Sequence, residues 1–167
     1  MLEVAIDADG DWDSSRFSEQ FVRRAAEAAI AESAFPQLAS GARTVELSVR
    51  FAGDDEARAL NAEWRGKDKP TNVLSFPLAE IDDLSGTNFA EAELLLGDIV
   101  LARGVCEAEA ADKGVSVEDH AAHLLIHGTL HLLGYDHHRD DDAADMERRE
   151  IRVLRRLGIA NPYEEAA

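Results

Sequence analysis

A single cysteine, Cys106, is all the 167-residue sequence contains, so it can form no internal disulfide and no cysteine-built zinc site. It has no run of about 18 apolar residues, the length a membrane-spanning helix needs. Its opening residues, MLEVAIDADGDWD, lack the basic start and apolar core of a secretion signal. Positive charge is scarce as well: 17 Lys and Arg face 34 Asp and Glu, for a formal net charge of −17. That balance argues against indiscriminate polyanion binding, so a nucleic-acid substrate would require a local basic cleft. These absences predict a cytoplasmic protein without membrane association. What is present is ordinary for a globular chain, with 46% apolar and 31% charged residues. The length suits one domain over residues 1–167.

Alternating polarity predicts strands at Leu2–Ala8 and Thr44–Phe51, and apolar runs predict two more at Asn72–Phe76 and Leu94–Leu101. An apolar stripe through Phe17, Phe21 and Ala25 predicts a helix over Ser15–Ser33. A second, capped by Asp54 or Asp55, is expected to run to about Trp64, followed by a polar loop at Arg65–Pro70. The acidic stretch Ala79–Glu93 reads as a mobile loop. Three helices follow: Arg103–Lys113, then one opened by the capping box at Ser116 and stopped by Gly134, and finally about Asp142–Leu157. Strands early and helices late predict an α+β fold. The expected form is a small, mostly parallel four-stranded sheet packed with about five helices.

All six histidines follow Val117, and they separate by geometry. His127 and His131 are four apart on a predicted helix, so their imidazoles share one face one turn apart. Gly134 ends that helix and lets His137 swing back towards them. Three imidazoles with a fourth position open are the donor set of a catalytic zinc site, one Zn2+ per chain, at the helix C-terminus and the loop after it. His120, His123, His127 and His131 form a rival stripe. One metal cannot take it, because His123 and His131 lie about 12 Å apart along the axis. His120 and His138 are therefore expected to be exposed, and His123 a packed or hydrogen-bonded neighbour. Metallopeptidases with an H-E-x-x-H motif carry a glutamate after the first histidine as general base. Here Gly128 stands in that position, which counts against peptide hydrolysis by that route. A metal would still lower the pKa of water and polarise a phosphoryl or carbonyl oxygen.

The run His127-Gly-x-Leu-His-Leu-x-Gly-Tyr-Asp-His137 resembles the signature of the YbeY family, metal-dependent endoribonucleases and rRNA maturation factors. Leu60-Asn-x-x-Trp-Arg-Gly-Lys-Asp-Lys-Pro-Thr-Asn-Val-Leu-Ser-Phe-Pro77 is similar to a second signature and Leu96-Gly-Asp-Ile-Val100 to a third. Met146-x-x-x-Glu150 and Asn161-Pro-Tyr163 also fit, so the likeness spans residues 45–163. The resemblance implies a zinc-binding α+β fold and cleavage of single-stranded or ribosomal RNA, notably in maturing the 3′ end of 16S rRNA and in ribosome quality control. It implies His127, His131 and His137 as ligands and Arg65 as the arginine needed for activity. Small-subunit ribosomal proteins and an assembly GTPase are the partners expected if the chain is instead an assembly factor, a reading its overall acidity suits.

The loop around Arg65 supports RNA on its own terms. Lys67 and Lys69 are two of only three lysines in the chain, and residues 58–69 are net positive. Arginine presents a planar fork suited to phosphate oxygens and to charge developing in phosphoryl transfer. Arg65 is thus the candidate catalytic group, with Arg65, Lys67 and Lys69 as RNA-binding residues. The plainer reading of the same loop is a solvated turn. Asn72 and Ser75 could line a cleft or stabilise the turn after Pro70. Asp98 could support a ligand histidine but more simply serves packing, and Asp136 could accept a proton or form a turn. Glu150 falls on the apolar stripe of the last helix and needs a partner there, a histidine or Arg65. Two alternatives stay open: a metallohydrolase of another substrate class, and a non-enzymatic ribosome-assembly factor with structural zinc.

Overall fold

Strand-forming residues with one buried face pair into a single sheet. In the computed structural model, which describes residues 1–41, 43–85, 93–136 and 138–163, the strands are β1 (Leu2–Ala8), β2 (Val45–Ala52), β3 (Val73–Pro77) and β4 (Leu94–Ala102). Their order is β1-β2-β4-β3; the first three run parallel and β3 pairs antiparallel with β4 at the edge. Parallel neighbours require crossovers, and helices supply them. The helices are α1 (Glu19–Ala31), α2 (Gln37–Ser40), α3 (Asp54–Arg65), α4 (Ile81–Ser85), α5 (Arg103–Lys113), α6 (Val117–Leu132) and α7 (Asp140–Arg156). Five of these have 11 to 17 residues, while α2 and α4 are single turns of four and five. The expected α+β class and mostly parallel sheet are therefore observed. Among the described residues, no helix is long and apolar enough to cross a membrane.

Alternation along the strands decides the two faces. Val45, Leu47, Val49 and Phe51 of β2 and Ile99 and Leu101 of β4 point into the main core with α1, α6 and α7. Each such side chain, fully buried, contributes roughly 1.5–3 kcal/mol. Val100 and Leu74 point the other way and meet Leu60 of α3 in a smaller cluster. Helix α6 is buried nearly all round, lying on β3 and β4 with α1, α5 and α7 against it. Its start is fixed by Ser116, whose hydroxyl accepts the Asp119 N–H at 3.1 Å, as the capping pattern predicts. Its end lies so close to the sheet that a Cβ on Gly97 would sit 2.7 Å from Leu132 and 2.5 Å from the Phe76 carbonyl. Gly97 also has φ +149°, so glycine is needed there twice over.

Some local expectations shift. Gly53, not Asp54 or Asp55, precedes α3. The Asp54 carboxylate instead accepts the N–H groups of Gly104 (2.8 Å) and Val105 (3.2 Å), so it caps α5, fifty residues away. Helix α1 starts after Ser18, whose hydroxyl accepts from Phe21 N–H. Helix α7 starts at Asp140, where Asp140, Asp141 and Asp142 complement the positive end of the helix dipole. Within the acidic stretch Ala79–Glu93, residues 81–85 form α4 and residues 86–92 lie outside the described residues.

Candidate active site

The last turn of α6 brings His127 and His131 together. Their Nε2 atoms lie 2.9 Å apart, with ring centroids 4.5 Å apart and planes nearly perpendicular. Gly134, at φ 94°, then takes the left-handed conformation that turns the chain back, and Asp136 accepts the His138 N–H at 3.0 Å. Asp136 thus does the work of a turn carboxylate. The third expected ligand, His137, lies outside the described residues. Among the described residues, no group of three or more His, Cys, Asp or Glu is placed to hold a metal.

The pair itself has the right chemistry for one. Two imidazole nitrogens on a tetrahedral zinc at about 2.0–2.1 Å would stand about 3.3 Å apart, close to the observed 2.9 Å. The Nδ1 of His127 is committed to the carboxylate of Glu150, at 2.5 Å, which turns Nε2 outward. Histidine ligands are commonly held this way by a carboxylate on the far nitrogen. The donors present fit a metal that prefers imidazole.

Glu150 was the carboxylate in need of a partner, and α7 buries it completely among Met146, Val153 and Leu154. Three donors surround it: His127 on Oε1, His123 Nε2 at 3.0 Å on Oε2, and the Tyr163 hydroxyl, also on Oε2. Burial pushes its pKa up, but the hydrogen bonds from His123, His127 and Tyr163 more than reverse this and bring it down to about 2. Burial and the neighbouring carboxylate raise the Tyr163 phenol well above its ordinary range. His123 is therefore the hydrogen-bonded neighbour expected. His120 is not exposed as expected: it is only 2% exposed and meets Glu109 of α5 at 2.8 Å. Burial lowers its pKa, while Glu109 acts in the opposite direction. The reason for the error is tertiary, since α5 covers a face that a lone helix would give to solvent. His138 is exposed, as expected.

Gly128 faces the sheet. A Cβ there would come within 3.1 Å of both Ile99 Cδ1 and Ser75 Oγ. The position of a metallopeptidase's glutamate is thus a tight contact between α6 and the sheet, with no room for that side chain.

Beside the histidines opens a cleft of about 670 Å³ that Arg65, Lys67 and Lys69 also line. The Arg65 guanidinium donates to the Ser75 carbonyl at 2.7 Å and lies 5.9 Å from the centre of the Phe76 ring, so β3 steers it. Gly66, in left-handed conformation, ends α3 and starts the basic loop. Asn61, buried in α3, holds that loop by donating its amide to the Lys69 carbonyl at 2.8 Å. Asn61 escaped sequence reasoning; a polar residue on the inward face of α3 was the available signal. Arg58 is withdrawn from the cleft into an exposed fork with Asp68. Asn72 lines the cleft, and its amide donates to Glu109 of α5 at 3.0 Å, a partner outside the turn after Pro70. Asp98 lies elsewhere, lining an apolar pocket of about 590 Å³ with Trp64 and Phe76.

The family described as Endoribonuclease YbeY matches residues 9–158 of the chain. The protein named Endoribonuclease YbeY of Rhizorhabdus wittichii is 49% identical over 164 residues, covering 98% of this chain and 97% of that one. Its namesake in Sphingopyxis alaskensis is also 49% identical over 164 residues, with 98% of each chain covered. The solution structure of a Thermotoga maritima protein aligns over 98% of this chain and 100% of its own, at 24% identity and a TM-score of 0.55. That last likeness speaks to the fold alone.

Proposed function

The chain belongs to the YbeY endoribonuclease family, and from that premise we propose that it is a zinc-dependent endoribonuclease cleaving single-stranded ribosomal RNA. One observation carries the reading. In a protein of net charge −17, the Arg65, Lys67 and Lys69 side chains line the same cleft as His127 and His131. A polyanion is attracted there and repelled from the acidic surface around it. Gly128, packed against Ile99 and Ser75, leaves no place for a peptidase glutamate, which favours a phosphodiester over a peptide substrate.

His127, His131 and His137 hold the zinc in this reading. When bound, the ion supplies Lewis acidity that lowers the pKa of water and polarises a phosphoryl oxygen. The chain's own residues do the rest. Arg65, steered by the Ser75 carbonyl, presents its remaining N–H groups to the scissile phosphate and to the charge that builds on it. Lys67 and Lys69 hold flanking phosphates, and Asn61 keeps their loop in place. Every contact so assigned is to phosphate, which suits recognition by strand character rather than by base sequence. Maturation of the 16S rRNA 3′ end and ribosome quality control, in the cytoplasm, are the roles the family membership favours. The acidic surface suits basic small-subunit ribosomal proteins, with an assembly GTPase as a further partner.

Arg65→Ala tests the substrate side of this reading. Cleavage of a single-stranded rRNA fragment should fall about 10²–10³-fold, the loss typical of one transition-state donor, with bound zinc unchanged. Wild-type cleavage by zinc-loaded Arg65→Ala protein would remove Arg65 from catalysis.

A further inference from the structure

We propose that the C-terminal turn is part of the active site: Tyr163, acting through Glu150, holds His127 in the orientation that presents its Nε2 to the metal. Tyr163 and Glu150 are positioning residues in this account, and the inference rests on the reading that His127 is a ligand.

An ionised carboxylate only accepts, so each nitrogen that touches Glu150 must carry a proton. The Nδ1 proton of His127 is thereby directed at Glu150, and in the neutral ring a metal needs, the lone pair then lies on Nε2. The same logic places a proton on His123 Nε2, leaving Nδ1 as an acceptor that has no hydrogen-bond partner among the described residues.

The carboxylate must itself be held still for this to orient anything. Its backbone is fixed by α7, but its plane can rotate unless both oxygens are restrained. Oε1 faces His127, and Oε2 takes His123 and the Tyr163 hydroxyl. Tyr163 reaches it because the chain folds back after α7. Leu157 and Ile159 pack on the core, and the Asn161 side chain accepts the Tyr163 N–H at 2.9 Å to close a turn. The Tyr163 ring stands edge-on to His123, with centroids 5.8 Å apart. The ring itself is half exposed, whereas its hydroxyl meets a carboxylate that is fully buried. Hydrophobic burial alone gives no reason for the hydroxyl to be there.

Tyr163→Phe is the decisive variant, because it keeps the ring, its contact with His123 and the turn, and deletes one oxygen. Two readouts apply. In metal-free protein, the 15N shifts of His127 report its tautomer; wild type should be the Nδ1–H form, and Tyr163→Phe should show an increased Nε2–H population. In zinc competition against a chromophoric chelator, Tyr163→Phe should bind about 10-fold more weakly, and Glu150→Gln about 100-fold, the span usual for groups behind a metal ligand. Unchanged His127 shifts in Tyr163→Phe overturn the proposal, and so does unchanged zinc affinity. Should Glu150→Gln fail to fold, the phenylalanine variant decides alone. His131→Ala is the separate control: if it binds zinc like wild type, the metal reading is wrong, while the tautomer measurement still decides whether Tyr163 positions His127.

Discussion

Replacing Gly128 by alanine probes the contact that sets α6 on the sheet. In an exposed helix this change stabilises by about 1 kcal/mol, because alanine has the higher helix propensity. Here the new methyl would lie 3.1 Å from Ile99 Cδ1, 3.1 Å from Ser75 Oγ and 3.3 Å from Ile99 Cγ2. Carbon atoms in good contact stand about 3.5–4.0 Å apart, so α6 or Ile99 must yield by roughly half an ångström. Overpacking of that kind costs about 1–3 kcal/mol. Set against the propensity gain, the net loss should be about 1 kcal/mol, or about 2–4 °C in Tm for a chain of this size. Urea titration measures it directly, and Gly128→Glu should lose more than about 4 kcal/mol by adding a buried charge to the clash. A Gly128→Ala protein about 1 kcal/mol more stable than wild type would refute the packing argument. It would also reopen that position to a side chain, and with it the case against a peptidase.

Two further predictions concern charge. If Arg65, Lys67 and Lys69 each neutralise a phosphate, log affinity for single-stranded RNA should fall with log salt at a slope of about −2. Lys67→Ala with Lys69→Ala should reduce that slope to about −0.7; a slope left at the wild-type value would take both lysines out of the interface. Glu150 has its pKa lowered from 4.5 to about 2, so between those pH values the group binds fewer protons folded than unfolded. It therefore contributes about 3 kcal/mol that is fully present above about pH 4.5 and is lost as pH falls towards 2. A pH series of urea midpoints should show this loss in wild type and a flatter acid limb in Glu150→Gln; equal acid limbs would contradict the role given to those hydrogen bonds.

The parts of the fold that were legible in the sequence are those decided locally. Alternation marked β2 because only one of its faces has contacts to satisfy on the core side, and Ser116 capped α6 through a bond three residues long. The bond that caps α5 was hidden because Asp54 lies fifty residues from the N–H groups it accepts. His120 went wrong for the same reason: its partner Glu109 belongs to a different helix, and α6 has no solvent side for it to occupy. In the site, the i and i+4 spacing was enough to bring His127 and His131 together. A carboxylate on an apolar stripe was enough to demand a partner for Glu150, though not to say that two histidines and Tyr163 would share it. The basic loop was visible as composition, but its attachment was not. Arg65 leans on a backbone carbonyl of β3, and Asn61 reaches a backbone carbonyl of the loop, and no residue type announces such bonds.

The most direct measurement is cleavage of a single-stranded rRNA fragment by purified protein, before and after metal is stripped with a chelator and restored with zinc, run beside His127→Ala and His131→Ala. The account predicts cleavage that disappears on stripping, returns with zinc, and is absent from both variants together with stoichiometric zinc. Cleavage that survives chelation, or that persists in either histidine variant, would contradict a metal-dependent nuclease site on α6.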